Sequence, residues 1–251
     1  MPTLDATTGT PPMIGRVMDI PTWLAYVASY DFGPLDPSLL ILHHTYKPTQ
    51  ADWRGLASMR AMQRYYAGLG WSSAPHIYVA PDGIWLFTPM HRIGVHAGSG
   101  NGSPGRWYSI GIEMVGDFDR QQPSGYVWDA TKAVLGGLCK RLGVDPRRAI
   151  NFHRDYSTKS CPGWSIGKEW VWGEVRAWMQ TGDHSYWRAL WGDKADYHHD
   201  WGIPTLWRQD AERFGPARSG ELWADDGAIQ WFAGGVIIYR KATGNAYGLF
   251  W

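Results

Sequence analysis

Three short stretches carry side chains of the kinds that bind a transition metal: His43-His44, His153 and Cys161. Imidazole and thiolate are preferred zinc ligands, and three protein ligands with a fourth position left to water is the catalytic pattern. A cation held that way acidifies its bound water and acts as a Lewis acid. Spacing alone leaves other readings open. Seven residues separate His153 from Cys161, which is no stock zinc spacing, and nine histidines allow many chance pairings. The competing reading is a surface histidine and a buried free thiol. A third makes Cys161 a nucleophile with His153 as its base, and leaves His43-His44 without a role.

The elements around these residues must bring them together. Leu39-Leu40-Ile41-Leu42 is a continuous apolar run that reads as a buried strand ending at His43-His44. Adjacent side chains on a strand point to opposite faces, so the two histidines are not expected to share one ion. Thr49-Gln50-Ala51-Asp52 reads as a capping box before a helix with Leu56, Met59, Gln63 and Tyr66 at helical spacing, stopped by Gly68 and Gly70. His76 to Ala80 and Ile84 to Thr88 flank Pro81-Asp82-Gly83 as a hairpin. Ser109 to Val115 reads as a strand, Ala130 to Leu142 as a helix, and Asn151 to His153 as a short strand or loop. Ile166 to Met179 is a Trp-rich helix. Cys139 falls on the apolar face of the helix over 130–142 and reads as a small core residue.

The chain has 251 residues, 44% of them apolar and 19% charged, which is globular composition with room for a core. It excludes disorder, collagen and coiled coil. No apolar stretch approaches the ~18 residues of a membrane span. A net charge of +1 implies no nucleic-acid field. Two cysteines make no disulfide scaffold. The first fifteen residues show no basic or apolar region of a secretory signal. The expectation is therefore synthesis in the cytoplasm and action on the target after release.

HHTYKP at 43–48, SIGIEMVG at 109–116 and FHRDYSTKSCPG at 152–163 together resemble the zinc N-acetylmuramoyl-L-alanine amidases, the family of amidase-type phage lysozymes and peptidoglycan recognition proteins. The resemblance runs from about residue 38 to about 178. It implies an α/β fold, a mixed β-sheet flanked by helices, and cleavage of the bond between the lactyl group of N-acetylmuramic acid and L-alanine. It implies Zn²⁺ on His43, His153 and Cys161, with His44 a neighbour. One branch of the family uses a tyrosine as proton carrier where this chain has Pro75. Another uses a glutamate in SIGIE, which is Glu113 here. The resemblance also implies an oxyanion role for Lys159, a groove-lining role for His96, and support of the ligand loop by Arg154 and Asp155. His76, His91, His184, His198 and His199 have no motif support and read as structural or surface residues.

Residues 1–19 read as an arm, 20–180 as the catalytic domain and 181–251 as a small β-rich C-terminal domain. The last carries seven Lys/Arg against nine Asp/Glu, and eleven of the seventeen tryptophans follow residue 160. Indole faces stack on sugars, and WGIPT, QWFAGGVIIY and ATGNAYG loosely resemble LGFP-type repeats of cell-wall proteins. The tail is thus expected either to bind wall or to complete the core. The expected partner is bacterial peptidoglycan, met by a monomer without membrane insertion or nucleic acid. The leading reading is an endolysin. Its alternatives are a cytosolic muropeptide-recycling amidase and a non-catalytic peptidoglycan-binding module.

Overall fold

The computed structural model describes residues 10–182 and 202–250. These divide into two units between Met179 and Gln180. In chain order the first contains β1 (Val17–Met18), α1 (Ile20–Ala28), β2 (Leu39–His44), α2 (Leu56–Gly68), β3 (Ile77–Ala80) and β4 (Gly83–Leu86). It continues through β5 (Gly102–Ser103), β6 (Trp107–Met114), α3 (Gly125–Leu142), α4 (Pro146–Ala149), β7 (Ile150–Phe152) and α5 (Lys168–Ala177).

The sheet order is β1-β4-β3-β6-β2-β7, with β5 pairing β6. β2 is parallel to β6 and to β7, β3 is parallel to β6, and β4 and β1 run antiparallel at the edge. Parallel strands covered on both faces read as unbroken apolar runs, and Leu40, Ile41 and Leu42 are all fully buried. Met59, Met62 and Tyr66 of α2 pack with Tyr78 and Ala80. The alternate residues Ile77, Val79 and Ile112 are equally buried. α3 packs on β3, β4 and β6, with α1 and α5 against it. The result is a mixed sheet flanked by helices.

Several boundaries differ from the expectations. The arm expected over 1–19 contains an edge strand: Val17 and Met18 pair with Trp85 and Ile84. Asp19 caps α1 by accepting from the Thr22 amide. Thr49 and Asp52 do exchange the two bonds of a capping box, but they close a local turn. α2 starts four residues later, after Gly55, and buries Met62 where Leu56 and Gln63 were expected. α3 begins five residues before the expected start. Cys139 is buried in it, and burial raises its thiol to about 12, as an inert core residue requires.

The second unit contains α6 (Gly202–Gln209), α7 (Ala211–Phe214) and strands β8 (Leu222–Ala224), β9 (Gly227–Phe232), β10 (Gly235–Arg240) and β11 (Asn245–Phe250). The strands form an antiparallel sheet in the order β11-β10-β9-β8. Trp207, Phe214, Phe232 and Ile237 form its buried interior. Trp207 donates to the Gly215 carbonyl, so this indole is a core residue. Trp223 and Trp231 are 47% and 38% exposed. Trp187, Trp191, Trp201, His184, His198 and His199 lie outside the described residues. Among the described residues no helix is long and apolar enough to cross a membrane.

Candidate metal centre

The C-terminal ends of β2, β6 and β7 converge, and each delivers one group. Parallel register places His43 directly beside Glu113, so both side chains leave the same face of the sheet. The chain leaves β7 into a single 3-10 turn, His153–Asp155, whose first residue is the second histidine. Cys161 follows on the next loop. Ligand atoms of His43, His153 and Cys161 all lie within 4.8 Å of one another. The rings of His43 and His153 are 4.6 Å apart between centroids.

Alternation sends His44 elsewhere. Its Nδ1 accepts from the Phe118 backbone amide at 3.1 Å, and its own amide donates to Cys161 Sγ at 3.3 Å. His44 thus steers the sulfur through its backbone. It also forms a second grouping with Asp117 and Asp119, within the same 4.8 Å.

The ligand loop is held by a clamp. The Arg154 amide donates to the Cys161 carbonyl, and its guanidinium donates to the carbonyls of Ser160, Gly163 and Ile166. Asp155 accepts from the Phe152 amide and pairs with Lys168 at 2.6 Å. Gly163 is obligatory here: its φ is +124°, and a Cβ would stand 2.2 Å from the Phe118 carbonyl oxygen.

Burial sets the charges. It drives His43 well below the ordinary imidazole range and takes His153 to about 4, so both nitrogens keep a lone pair for a metal. Burial lifts the Glu113 carboxyl to about 8, against the opposing pull of the Lys159 ammonium. His43 Nδ1 and Glu113 Oε1 are 3.8 Å apart, but with a neutral ring and a protonated carboxyl this is no ion pair. Glu113 Oε2 is buried with no hydrogen-bond partner among the described residues. Burial also raises the Cys161 thiol, the state a thiol takes before a cation draws off its proton. Two imidazoles, one thiol and an unsatisfied carboxyl oxygen beside them suit a divalent cation with one open position.

Other predicted residues fall in distinct places. Lys159 is exposed on the ligand loop, close enough for its charge to act on Glu113, His153 and Cys161. Pro75 is buried just before β3. Tyr78 stands beside Glu113 in the sheet register, with its hydroxyl 2.6 Å from that of Tyr66. His96 is buried beside His43, with both ring nitrogens engaged. Three further residues had no individual role at the sequence level. Asn101 accepts from the amides of His96 and Ala97, Ser109 meets the ring, and Trp164 stands 67% exposed three residues past Cys161. The signal for Asn101 and Ser109 was available in their short distance from His96 along the chain.

The family described as N-acetylmuramoyl-L-alanine amidase matches residues 33–164, a span that contains His43, Glu113, His153, Lys159 and Cys161. The chain belongs to this family. It is similar to peptidoglycan-recognition protein SC1a of Drosophila melanogaster, with 27% identity over 147 residues, 56% of this chain and 73% of that one. Among solved structures it is similar to Drosophila PGRP-LB, with 25% identity, a TM-score of 0.47, and coverage of 60% of this chain and 86% of that one. It is likewise similar to the endolysin amidase LysCS from Clostridium intestinale, with 21% identity, a TM-score of 0.43, and coverage of 57% and 85%.

Proposed function

We propose that this amidase-family protein is a zinc-dependent peptidoglycan hydrolase. It cleaves the amide between the lactyl group of N-acetylmuramic acid and L-alanine, and serves as an endolysin. The observation that carries the reading is the convergence of His43, His153 and Cys161 within 4.8 Å, next to the unpartnered Glu113 Oε2. Bound zinc supplies a Lewis acid that brings the acidity of water toward neutral pH and polarises an amide carbonyl. Glu113 takes the proton of the attacking water and returns it to the leaving nitrogen. Lys159, exposed on the ligand loop, offers positive charge to the oxygen on which the transition state builds negative charge. Pro75 has no group that carries a proton, which leaves this work to Glu113.

A binding-only module would have no use for the unsatisfied carboxyl. A Cys161 nucleophile is disfavoured because burial holds its thiol protonated and because it leaves His43 without a role. Family membership and the peptidoglycan-recognition relatives support the substrate class. The exposed Trp223 and Trp231 support work on intact wall.

The test is mass spectrometry of products from intact sacculi and from soluble muropeptides. Stem peptides with a new L-alanine amino terminus should appear from sacculi. They should vanish on chelation, return with zinc, and be absent with Cys161→Ser. Cuts within the glycan or the stem, or chelator-resistant turnover, would overturn the reading. Turnover of soluble fragments alone would reassign the role to recycling.

A further inference from the structure

The ring of His96 has no place in the chemistry above, yet it is buried directly behind a metal-ligating candidate. Its Nδ1 is 3.0 Å from His43 Nε2, and its Nε2 is 3.2 Å from Ser109 Oγ. Ser109 Oγ in turn lies 2.6 Å from the Gly100 carbonyl oxygen. Two oxygens at that distance need a proton between them, and a carbonyl has none to give. The single Ser109 hydroxyl proton is therefore spent on Gly100. What Ser109 has left is a lone pair, so His96 Nε2 must donate to it. A neutral imidazole protonated at Nε2 has only a lone pair at Nδ1, so His43 Nε2 must be the donor to His96. That leaves His43 with a bare Nδ1, the nitrogen that looks toward Glu113.

A doubly protonated His96 would break this chain of directions, but among the described residues its ring meets His43, His76, Ser109 and Gly111. A cation there would be buried against no carboxylate of the described residues. His76 is itself locked: its Nδ1 accepts from the Gly111 amide, and its Nε2 meets the Arg92 carbonyl. Gly111 makes the space, since a Cβ at that position would lie 2.6 Å from the His96 ring.

We propose that His96, oriented by Ser109, is a positioning residue that holds His43 in the Nε2–H tautomer and so presents its Nδ1 lone pair to the metal. The inference rests on the metal reading given above. Outer partners of this kind fix the tautomer and orientation of a ligating imidazole, and their loss typically costs 10–100-fold in metal affinity.

The test uses the full chain labelled with ¹⁵N. Long-range ¹H–¹⁵N spectra of the metal-free protein should show His43 as the Nε2–H tautomer, and one equivalent of zinc should shift its Nδ1. In chelator competition, His96→Leu should bind zinc roughly 10–100-fold more weakly. His96→Asn, which puts an acceptor oxygen near the lost Nδ1, should recover much of that loss. Ser109→Ala should weaken binding in the same direction. The proposal is overturned if metal-free His43 carries its proton on Nδ1, if zinc shifts Nε2, or if His96→Leu binds zinc as tightly as the native chain. Should His96→Leu fail to fold, the spectrum of the native chain still decides. Should the native chain take up no zinc, the metal reading fails, and the metal-free spectrum decides the relay separately.

Discussion

Replacing Glu113 by Gln should inactivate the protein and stabilise its metal-free form. Burial raises this carboxyl from its ordinary 4.5 to about 8, so the folded chain holds the proton more tightly than the unfolded chain. Stability is then whole below about pH 4.5 and falls as pH rises toward 8. At 1.36 kcal/mol per pH unit, the burden is roughly 3 kcal/mol at pH 7 and approaches roughly 5 kcal/mol above pH 8. Glutamine keeps the shape and has no proton to lose. Glu113→Gln should therefore melt roughly 6–12 °C higher than the native chain at pH 7 without metal, using about 2–4 °C per kcal/mol for a domain of this size. The gap should shrink to under about 1 kcal/mol at pH 5. Added zinc should shrink it too, because a nearby cation favours the carboxylate. Zinc-loaded turnover should fall by roughly two to four orders of magnitude, as for removal of a general base. The assay is thermal melting of chelator-treated protein at pH 5, 7 and 8.5, with turnover measured in parallel. A gap that widens as pH falls, or turnover within tenfold of native, would refute the reasoning.

The two adjacent histidines should separate cleanly. His43→Ala should lose stoichiometric zinc by metal analysis, whereas His44→Ala should keep it and lose about 1 kcal/mol for its bond to the Phe118 amide. Gly163→Ala should destabilise the fold by at least ~2 kcal/mol in denaturant titration, because its φ and the nearby Phe118 carbonyl both resist a side chain. Lys159→Met should lower kcat while leaving zinc content unchanged, read by turnover beside metal analysis. A chain ending at Gln180 should fold, bind zinc and hydrolyse soluble muramyl peptides, yet sediment less with insoluble walls. An insoluble or zinc-free product would make the tail structural.

The motifs and their order along the chain were enough to pick out the side chains that converge, His43, His153 and Cys161, with Glu113 beside His43. A strand's two-residue period was enough to separate His43 from His44, because alternation is a property of the local backbone. Local patterning also marked β2 and the β3–β4 hairpin. It failed where identical local bonds serve different ends. Thr49 and Asp52 make the bonds of a capping box, yet the helix waits for Gly55, where the backbone turns with φ +55°. The protonation of Glu113 was beyond sequence reading, because desolvation depends on what other elements pack around a carboxyl. His96 is the sharpest case. Its neighbourhood comes from a gap at Gly111 on one strand, a hydroxyl two residues earlier on the same strand, and a ring on another strand. Sequence determines which hydrogen-bonding groups exist, but only their arrangement in space decides where each proton must reside.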